Sequence, residues 1–162
     1  MKATARAYSI QGLIKYHGLK DPKLRIPYHD SVSVCMEALP TITTVEFGRE
    51  YHSDVVKLDG REPNPTELRR VMLVLNALRR IGKESMHARI ESRNPPVKGK
   101  GLGYSASGFA ALGLAASQAL GLSLDTHKLS QIVRLGAGSA ARSLVGGFSI
   151  LYASKNGLSY AE

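Results

Sequence analysis

The residues best suited to chemistry gather in one glycine-rich run, Gly99-Lys100-Gly101-Leu102-Gly103-Tyr104-Ser105-Ala106-Ser107-Gly108. Glycine carries no Cβ, so successive backbone N–H groups can turn inward on an anion, and a following helix adds the partial positive charge of its N-terminus. Gly101 and Gly103 would shape such a turn, and Ser105 and Ser107 would add hydroxyl donors, which points to phosphate. The same glycines equally suit a tight turn and a closely packed helix with no ligand at all. Two named phosphate motifs can be tested against the run. Walker A requires Gly-Lys-Ser/Thr, and Lys100 is followed by Gly101, so it fails. Gly101, Gly103 and Ala106 satisfy a GxGxxA dinucleotide fingerprint, with Asp125 as candidate acidic partner. That reading is rejected, because Pro95-Pro96-Val97-Lys98 separates the preceding strand from the glycines and the chain before it does not alternate strand and helix.

A strand must deliver the chain to this turn and a helix must receive it. Ala3 to Lys15 reads as extended, Ser31 to Met36 and Thr41 to Phe47 as two strands, and Val55 to Leu58 as a strand running into the hairpin signal Asp59-Gly60. Asn64-Pro65-Thr66 opens a helix in which Leu68, Val71, Met72, Leu75 and Leu78 recur at helical spacing to Ile81, with Gly82 as the stop. Met86 to Glu91 is the strand before the glycines. Ser105 to Leu120 is a helix of Ala, Gly and Leu able to pack closely, Thr126 to Leu135 another helix, and Gly147 to Ser154 a final strand. This order predicts an α+β two-layer sandwich in a single domain spanning 1–162.

Composition bounds the function. With 22 Lys+Arg against 13 Asp+Glu the chain carries +9, which favours polyanions, whether nucleic acid or small phosphorylated molecules. The basic residues, among them Lys20, Lys23, Arg25, Arg69, Arg70, Arg79, Arg80, Lys83, Lys98 and Lys100, form no single tract and read mostly as solvated surface. Cys35 is the one cysteine, which excludes an intramolecular disulfide and a cysteine-rich zinc site. Histidines 17, 29, 52, 87 and 127 lack close ligand spacing, so no metal site is assigned to the chain. No apolar run approaches the roughly 18 residues of a spanning helix, and no signal peptide is seen at the start; a cytoplasmic protein with no membrane partner is expected.

Three separated segments then carry a resemblance. The first is Leu13-Ile14-Lys15-Tyr16-His17-Gly18 with Ile26-Pro27-Tyr28-His29-Asp30-Ser31-Val32-Ser33-Val34; the second runs from Asn94-Pro95-Pro96 through Gly108; the third is Arg134-Leu135-Gly136-Ala137-Gly138-Ser139-Ala140-Ala141-Arg142-Ser143-Leu144-Val145-Gly146-Gly147-Phe148. In order and spacing they resemble the diphosphomevalonate decarboxylases of the GHMP kinase superfamily. The resemblance implies a GHMP-type N-terminal domain, similar to ribosomal protein S5 domain 2. It also implies a C-terminal GHMP domain, in cis or as a second chain, that closes the cleft and brings the family's catalytic aspartate. A homodimer is compatible with it. Lys15 matches the family's catalytic lysine, Tyr16 a tyrosine contacting substrate phosphate, and Ser139 and Arg142 the serine and arginine holding phosphate and carboxylate. An ammonium, a phenol and a bidentate guanidinium fit those tasks.

The departures from the family pattern are Ile10, His17, Leu19, Tyr104 and Ala137. They remove donors near the 5-diphosphate and nucleotide, so the resemblance implies two branches. One is decarboxylation of 5-diphosphomevalonate with ATP and Mg2+; the other is decarboxylation of mevalonate 3,5-bisphosphate, carrying a 5-monophosphate, with no cofactor. Two rivals stand beside these. A small-molecule kinase such as mevalonate 3-kinase shares Ala7-Tyr8 and Gly12 but lacks Lys15. An RNA-binding S5-like module would use the +9 charge but leaves Lys15, Tyr16 and Arg142 unexplained, and with 6% aromatics the chain has little for base stacking, so a nucleic-acid partner is not expected.

Overall fold

The computed structural model describes residues 1–97 and 102–162. Its frame is a five-stranded sheet. Strand β1 (Lys2–Ile14) pairs antiparallel with the long β4 (Ser31–Gly48). The second half of β4 pairs with β6 (His87–Arg93), and β5 (Val55–Leu58) lies parallel to β6 at the edge. The first half of β4 pairs instead with β7 (Phe148–Leu151), and a small separate ribbon joins β2 (Leu19–Asp21) to β3 (Ile26–Pro27).

The two strands expected at 31–36 and 41–47 are thus one. Register runs Tyr8↔Pro40 and then Ser9↔Met36, so Glu37, Ala38 and Leu39 bulge out of β4 while β1 continues past them. Pro40, which has no N–H to give a ladder, stands at that bulge. Asp59 and Gly60 do form a tight turn, with φ of 51° and 80°, but it closes only the Leu58–Arg61 bridge and joins no second strand. β5 finds its partner in β6 on the far side of a helix.

The described residues form four helices: α1 (Pro65–Gly82), α2 (Tyr104–Ala119), α3 (Thr126–Val133) and the short α4 (Ala140–Ser143). Asn64 caps α1 in a capping box with Glu67, and the helix ends one residue later than expected, with Lys83 in the left-handed conformation in place of Gly82. Val71, Val74, Leu75 and Leu78 of α1 meet Val45, Phe47, Val56, Ala88 and Ile90 of the sheet, whereas Leu68 stays exposed. α2 is apolar nearly all round because it is enclosed between sheet and helices. Its first residues crowd β1: Gly103 has φ +71°, and a Cβ there would approach the Ile10 carbonyl oxygen to 3.1 Å. Among the described residues, no helix is long and apolar enough to cross a membrane.

Candidate active site

The end of β1, the start of α2 and the loop between α3 and α4 converge on an open cleft of about 380 Å3 lined by Lys15, Tyr16, Arg25, Arg70, Ser105, Ala137, Gly138, Ser139 and Arg142. Lys15 and Tyr16 leave β1 as its ladder with β4 ends. The Lys15 stem folds back over Gly12, where a Cβ would stand 3.1 Å from its Cγ. The Tyr16 hydroxyl lies against Gly138, where a Cβ would overlap it. Glycine at 138 is therefore a requirement of the close approach between the two chain segments.

Arg142 forms the most unusual part of the cleft. It is 5% exposed; Nη1 donates to the Ser31 hydroxyl, and Nε is buried without a partner among the described residues. Burial pulls its proton affinity below the ordinary value, and the Tyr16 phenol beside it opposes that shift. No ion pair to an acid is formed by Arg142 among the described residues. The two other buried arginines are better provided for: the Arg79 Nε is likewise buried without a partner among the described residues, but both of its Nη groups are bonded. Arg79 pairs with Asp54 at 2.5 Å, and Arg134 donates to the carbonyls of Leu24 and Ser159 at 2.9 and 2.7 Å. An arginine taken out of water with no carboxylate is costly unless an anion completes it. Ser33 and Ser149, register partners on β4 and β7, are also buried with hydroxyls that have no partner among the described residues.

Of the sequence-predicted residues, the structure brings Lys15, Tyr16, Ser105, Ser139 and Arg142 to this one cleft. Ser139 caps α4 and is half-buried. Gly103 caps α2 with no side-chain hydrogen bond, beside Ser105. Gly101 lies outside the described residues. Ser107 is placed differently from expectation: two residues of helix beyond Ser105, little more than about half a turn, rotate it inward, where it is fully buried between Thr41 at 2.6 Å, Ser9 at 3.3 Å and the Tyr104 carbonyl at 3.2 Å. It braces α2 on β1 and β4 and does not line the cleft.

Two residues were missed, Arg25 and Arg70. Arg25 sits in the β2–β3 turn with no periodic signal. Arg70 lies four residues before the buried Val74 on α1, and that spacing does mark it as flanking the apolar stripe. Among the described residues, no carboxylate lines the cleft against the cations Lys15, Arg25, Arg70 and Arg142. A second cavity adjoins it through Arg70 and Ser105. Leu58, Val71, Ile90, Phe109 and Leu112 form its apolar wall, and Asp59, Arg61, Ser92 and Asn94 its polar rim.

Residues 7–161 match the diphosphomevalonate decarboxylase-like N-terminal domain model. The chain is 43% identical over 156 residues to a phosphomevalonate decarboxylase of Haloferax volcanii, covering 96% of this chain and 48% of that protein. The mevalonate diphosphate decarboxylase of Enterococcus faecalis superposes with a TM-score of 0.92 at 37% identity, over 100% of this chain and 51% of the other. A structure described as MDDEF in complex with MVAPP, AMPPCP and magnesium gives the same score and identity over 100% and 50%. The chain spans about half the length of the curated relative, or less. With the three sequence segments meeting at one cleft and this match over nearly its whole length, the chain belongs to the diphosphomevalonate decarboxylase-like N-terminal domain family.

Proposed function

We propose that this chain supplies the substrate-gripping half of an enzyme that decarboxylates a phosphorylated mevalonate in isoprenoid biosynthesis. The observation that carries this reading is the buried Arg142 guanidinium, lacking an acid among the described residues and sharing a cleft with Lys15, Tyr16 and Ser139. Arg142 and Ser139 orient the anionic end of the substrate, and Tyr16 donates to a phosphate oxygen. In the reaction the C3–O bond breaks toward the departing phosphate; the carboxylate C–C bond then gives its electron pair to the new double bond and CO2 leaves. Lys15 stabilises the negative charge that grows on the leaving phosphate. No covalent intermediate with the protein is needed, so catalysis is positioning and electrostatics. A C-terminal GHMP-type domain, in cis or as a second chain, supplies the remaining wall of the site and the acidic residue this half does not provide.

The 43% identity to a phosphomevalonate decarboxylase supports a 5-monophosphate substrate, with isopentenyl phosphate as product. The adjoining cavity suits a nucleotide: an apolar wall for a flat base, a polar rim, and an opening toward the cleft cations at Arg70 and Ser105. ATP with Mg2+, when bound, supplies the phosphoryl group that makes the C3 oxygen a leaving group.

The full-length protein tests this with carboxyl-labelled 5-phosphomevalonate, 5-diphosphomevalonate and mevalonate 3,5-bisphosphate, each with and without MgATP. Labelled CO2 with equimolar ADP from the monophosphate is expected. CO2 from the bisphosphate alone identifies the cofactor-free branch. ADP without CO2 makes the protein a kinase of this fold. Turnover of none of them, together with RNA binding that weakens steeply with salt, makes it an RNA-binding module.

A further inference from the structure

We propose that His29 is a positioning residue for Lys15 and Tyr16: its neutral imidazole tethers the chain just beyond them, and the cleft is set for turnover only while that ring is uncharged. The role rests on the decarboxylase reading for the reaction it serves; the hydrogen bonds that define it do not.

β1 ends at Ile14 and β2 begins at Leu19, so Lys15, Tyr16, His17 and Gly18 belong to no strand. Outside strand pairing, the one hydrogen bond made by the backbone of residues 15–18 among the described residues is that of the His17 N–H to the His29 Nε2, at 3.3 Å. The stretch carrying both cleft side chains is thus held from a ring twelve residues further along the chain.

The four consecutive residues after β3 reach four different places. The Tyr28 ring lies against Gly18, where φ is +73° and a Cβ would stand 3.2 Å from the Tyr28 Cδ2. His29 takes the His17 N–H. The Asp30 carboxylate accepts the Ala153 N–H at 2.7 Å, and the Ser31 hydroxyl accepts from the Arg142 Nη1. Residues 28–31 therefore connect the exit of β1 to the arginine of the same cleft, and two of their four ties hold the residues that follow Tyr16.

The geometry selects one tautomer of His29. Nε2 faces the His17 N–H, and Nδ1 lies 3.0 Å from the Asp30 carbonyl oxygen. A carbonyl oxygen only accepts, so Nδ1 carries the proton and Nε2 the lone pair. Protonation would place a second N–H at Nε2, pointed at the His17 N–H, and two donors make no bond. Histidine exchanges a proton within about pH 5–8, so the tether holds above that range and opens as pH falls through it. The other titratable groups at hand are Lys15, Tyr16 and His17 on the tethered segment, Tyr28 and Asp30 beside His29, and Tyr152 next to Ala153. Of these only His17 is of a type that changes charge in the same range. It enters the bond through its backbone, so its side chain can be changed separately.

The test uses the full-length protein and its His29→Gln, His29→Phe and His17→Gln variants. His29→Gln offers an uncharged amide oxygen in place of Nε2; His29→Phe keeps a ring and loses the acceptor; His17→Gln keeps the backbone N–H. CO2 release from 5-phosphomevalonate with MgATP is followed from about pH 5.5 to 8.5. At pH 8, His29→Phe should lower kcat about tenfold or more with a smaller change in KM, since Lys15 is displaced. Its melting temperature should match wild type, because both histidines are exposed. His29→Gln should keep most of the wild-type kcat at pH 8 and fall less steeply toward pH 5.5, whereas His17→Gln should keep the wild-type profile. Titration of the substrate phosphate is common to all four proteins and cancels in the comparison.

Histidine-selective 15N labelling reads the tether without substrate. At pH 8 the His29 ring, assigned by its loss in His29→Gln, should be the Nδ1–H tautomer. As pH falls the His17 amide signal should move with the His29 ring, and that component should vanish in His29→Gln.

An Nε2–H tautomer at pH 8 would overturn the proposal, as would an unchanged kcat in His29→Phe or a wild-type acid limb in His29→Gln. Equal losses of kcat in both variants, together with a melting temperature several degrees lower, would make His29 a structural residue and overturn it too. If the tautomer and the coupled His17 shift are found but no phosphorylated mevalonate is turned over, the tether stands and the decarboxylase reading fails.

Discussion

Ser31 opens β4 and Arg142 lies 111 residues later in α4, and the guanidinium Nη1 of the second donates to the hydroxyl of the first. This single hydrogen bond and the Tyr16 ring 5.9 Å from its guanidinium carbon are what the described residues offer a buried cation, so on the proposed reading Arg142 costs the domain stability and contributes when an anion arrives. Arg142→Met, similar in length and apolar, should leave the domain as stable as wild type or about 1 kcal/mol more stable. Substrate turnover should fall by about a hundredfold or more. Thermal melts beside the CO2 assay check both. A melting temperature several degrees lower would show that Arg142 is structural.

The sequence and the structure agree where a residue's neighbours in the chain are also its neighbours in space. The Asn64/Glu67 box and the apolar stripe of α1 are local and were legible. The bulge at Glu37–Leu39 was not, because it is defined by β1 passing across it, and Pro40 read as a break between two strands. Ser107 was assigned to the phosphate turn because its distance along the chain suited it; only the rotation of α2 on Ser9 and Thr41 shows that it points inward. Four-residue α4 is too short for any periodicity. Arg25 and Arg70 looked like solvated charge because their partners, the carbonyls of Leu135 and Gly136, are 110 and 66 residues away.

Gly138 and Tyr16 provide a steric test of how the cleft is assembled. A methyl at 138 would overlap the Tyr16 hydroxyl, so Gly138→Ala must push Tyr16 or the α3–α4 loop aside, at a cost of about 1–3 kcal/mol. Removing the hydroxyl in Gly138→Ala/Tyr16→Phe should recover part of that stability and none of the substrate affinity, since the proposed phosphate donor goes with it. Urea denaturation and KM, measured on both variants, separate the two effects. Additive stability losses would mean that the residues do not meet.

Lys15 is the converse case, exposed and making no ion pair among the described residues. Lys15→Ala should change stability by no more than about 0.5 kcal/mol. It should reduce kcat by about a hundredfold or more with a smaller change in KM, because in the proposed mechanism its charge is used when the phosphate departs and not before. Gly12→Ala, which presses on the Lys15 stem, should give a weaker version of the same pattern. A change confined to KM would make Lys15 a binding group only.

Glu67 couples the stability of α1 to pH. The Arg61 guanidinium, joined by the Asn64 backbone N–H and against opposing burial, holds its carboxyl down to about 2 from an ordinary value of 4.5. A depressed carboxylate contributes stability that is fully present above its ordinary value and is lost as pH falls through the folded-state value. The contribution therefore fades between about pH 4.5 and pH 2. Glu67→Gln removes the charge and weakens the box, so it should cost about 1 kcal/mol at pH 7. That difference from wild type should narrow steadily in urea titrations from pH 5 to pH 3, and a constant difference over this range would rule the carboxylate out as its source. Because Arg70 stands one turn beyond Glu67, loosening the first turn also loosens the cleft. Glu67→Gln at pH 7 should raise KM for the phosphorylated substrate severalfold, and an unchanged KM would mean that Arg70 is held by the Gly136 carbonyl alone.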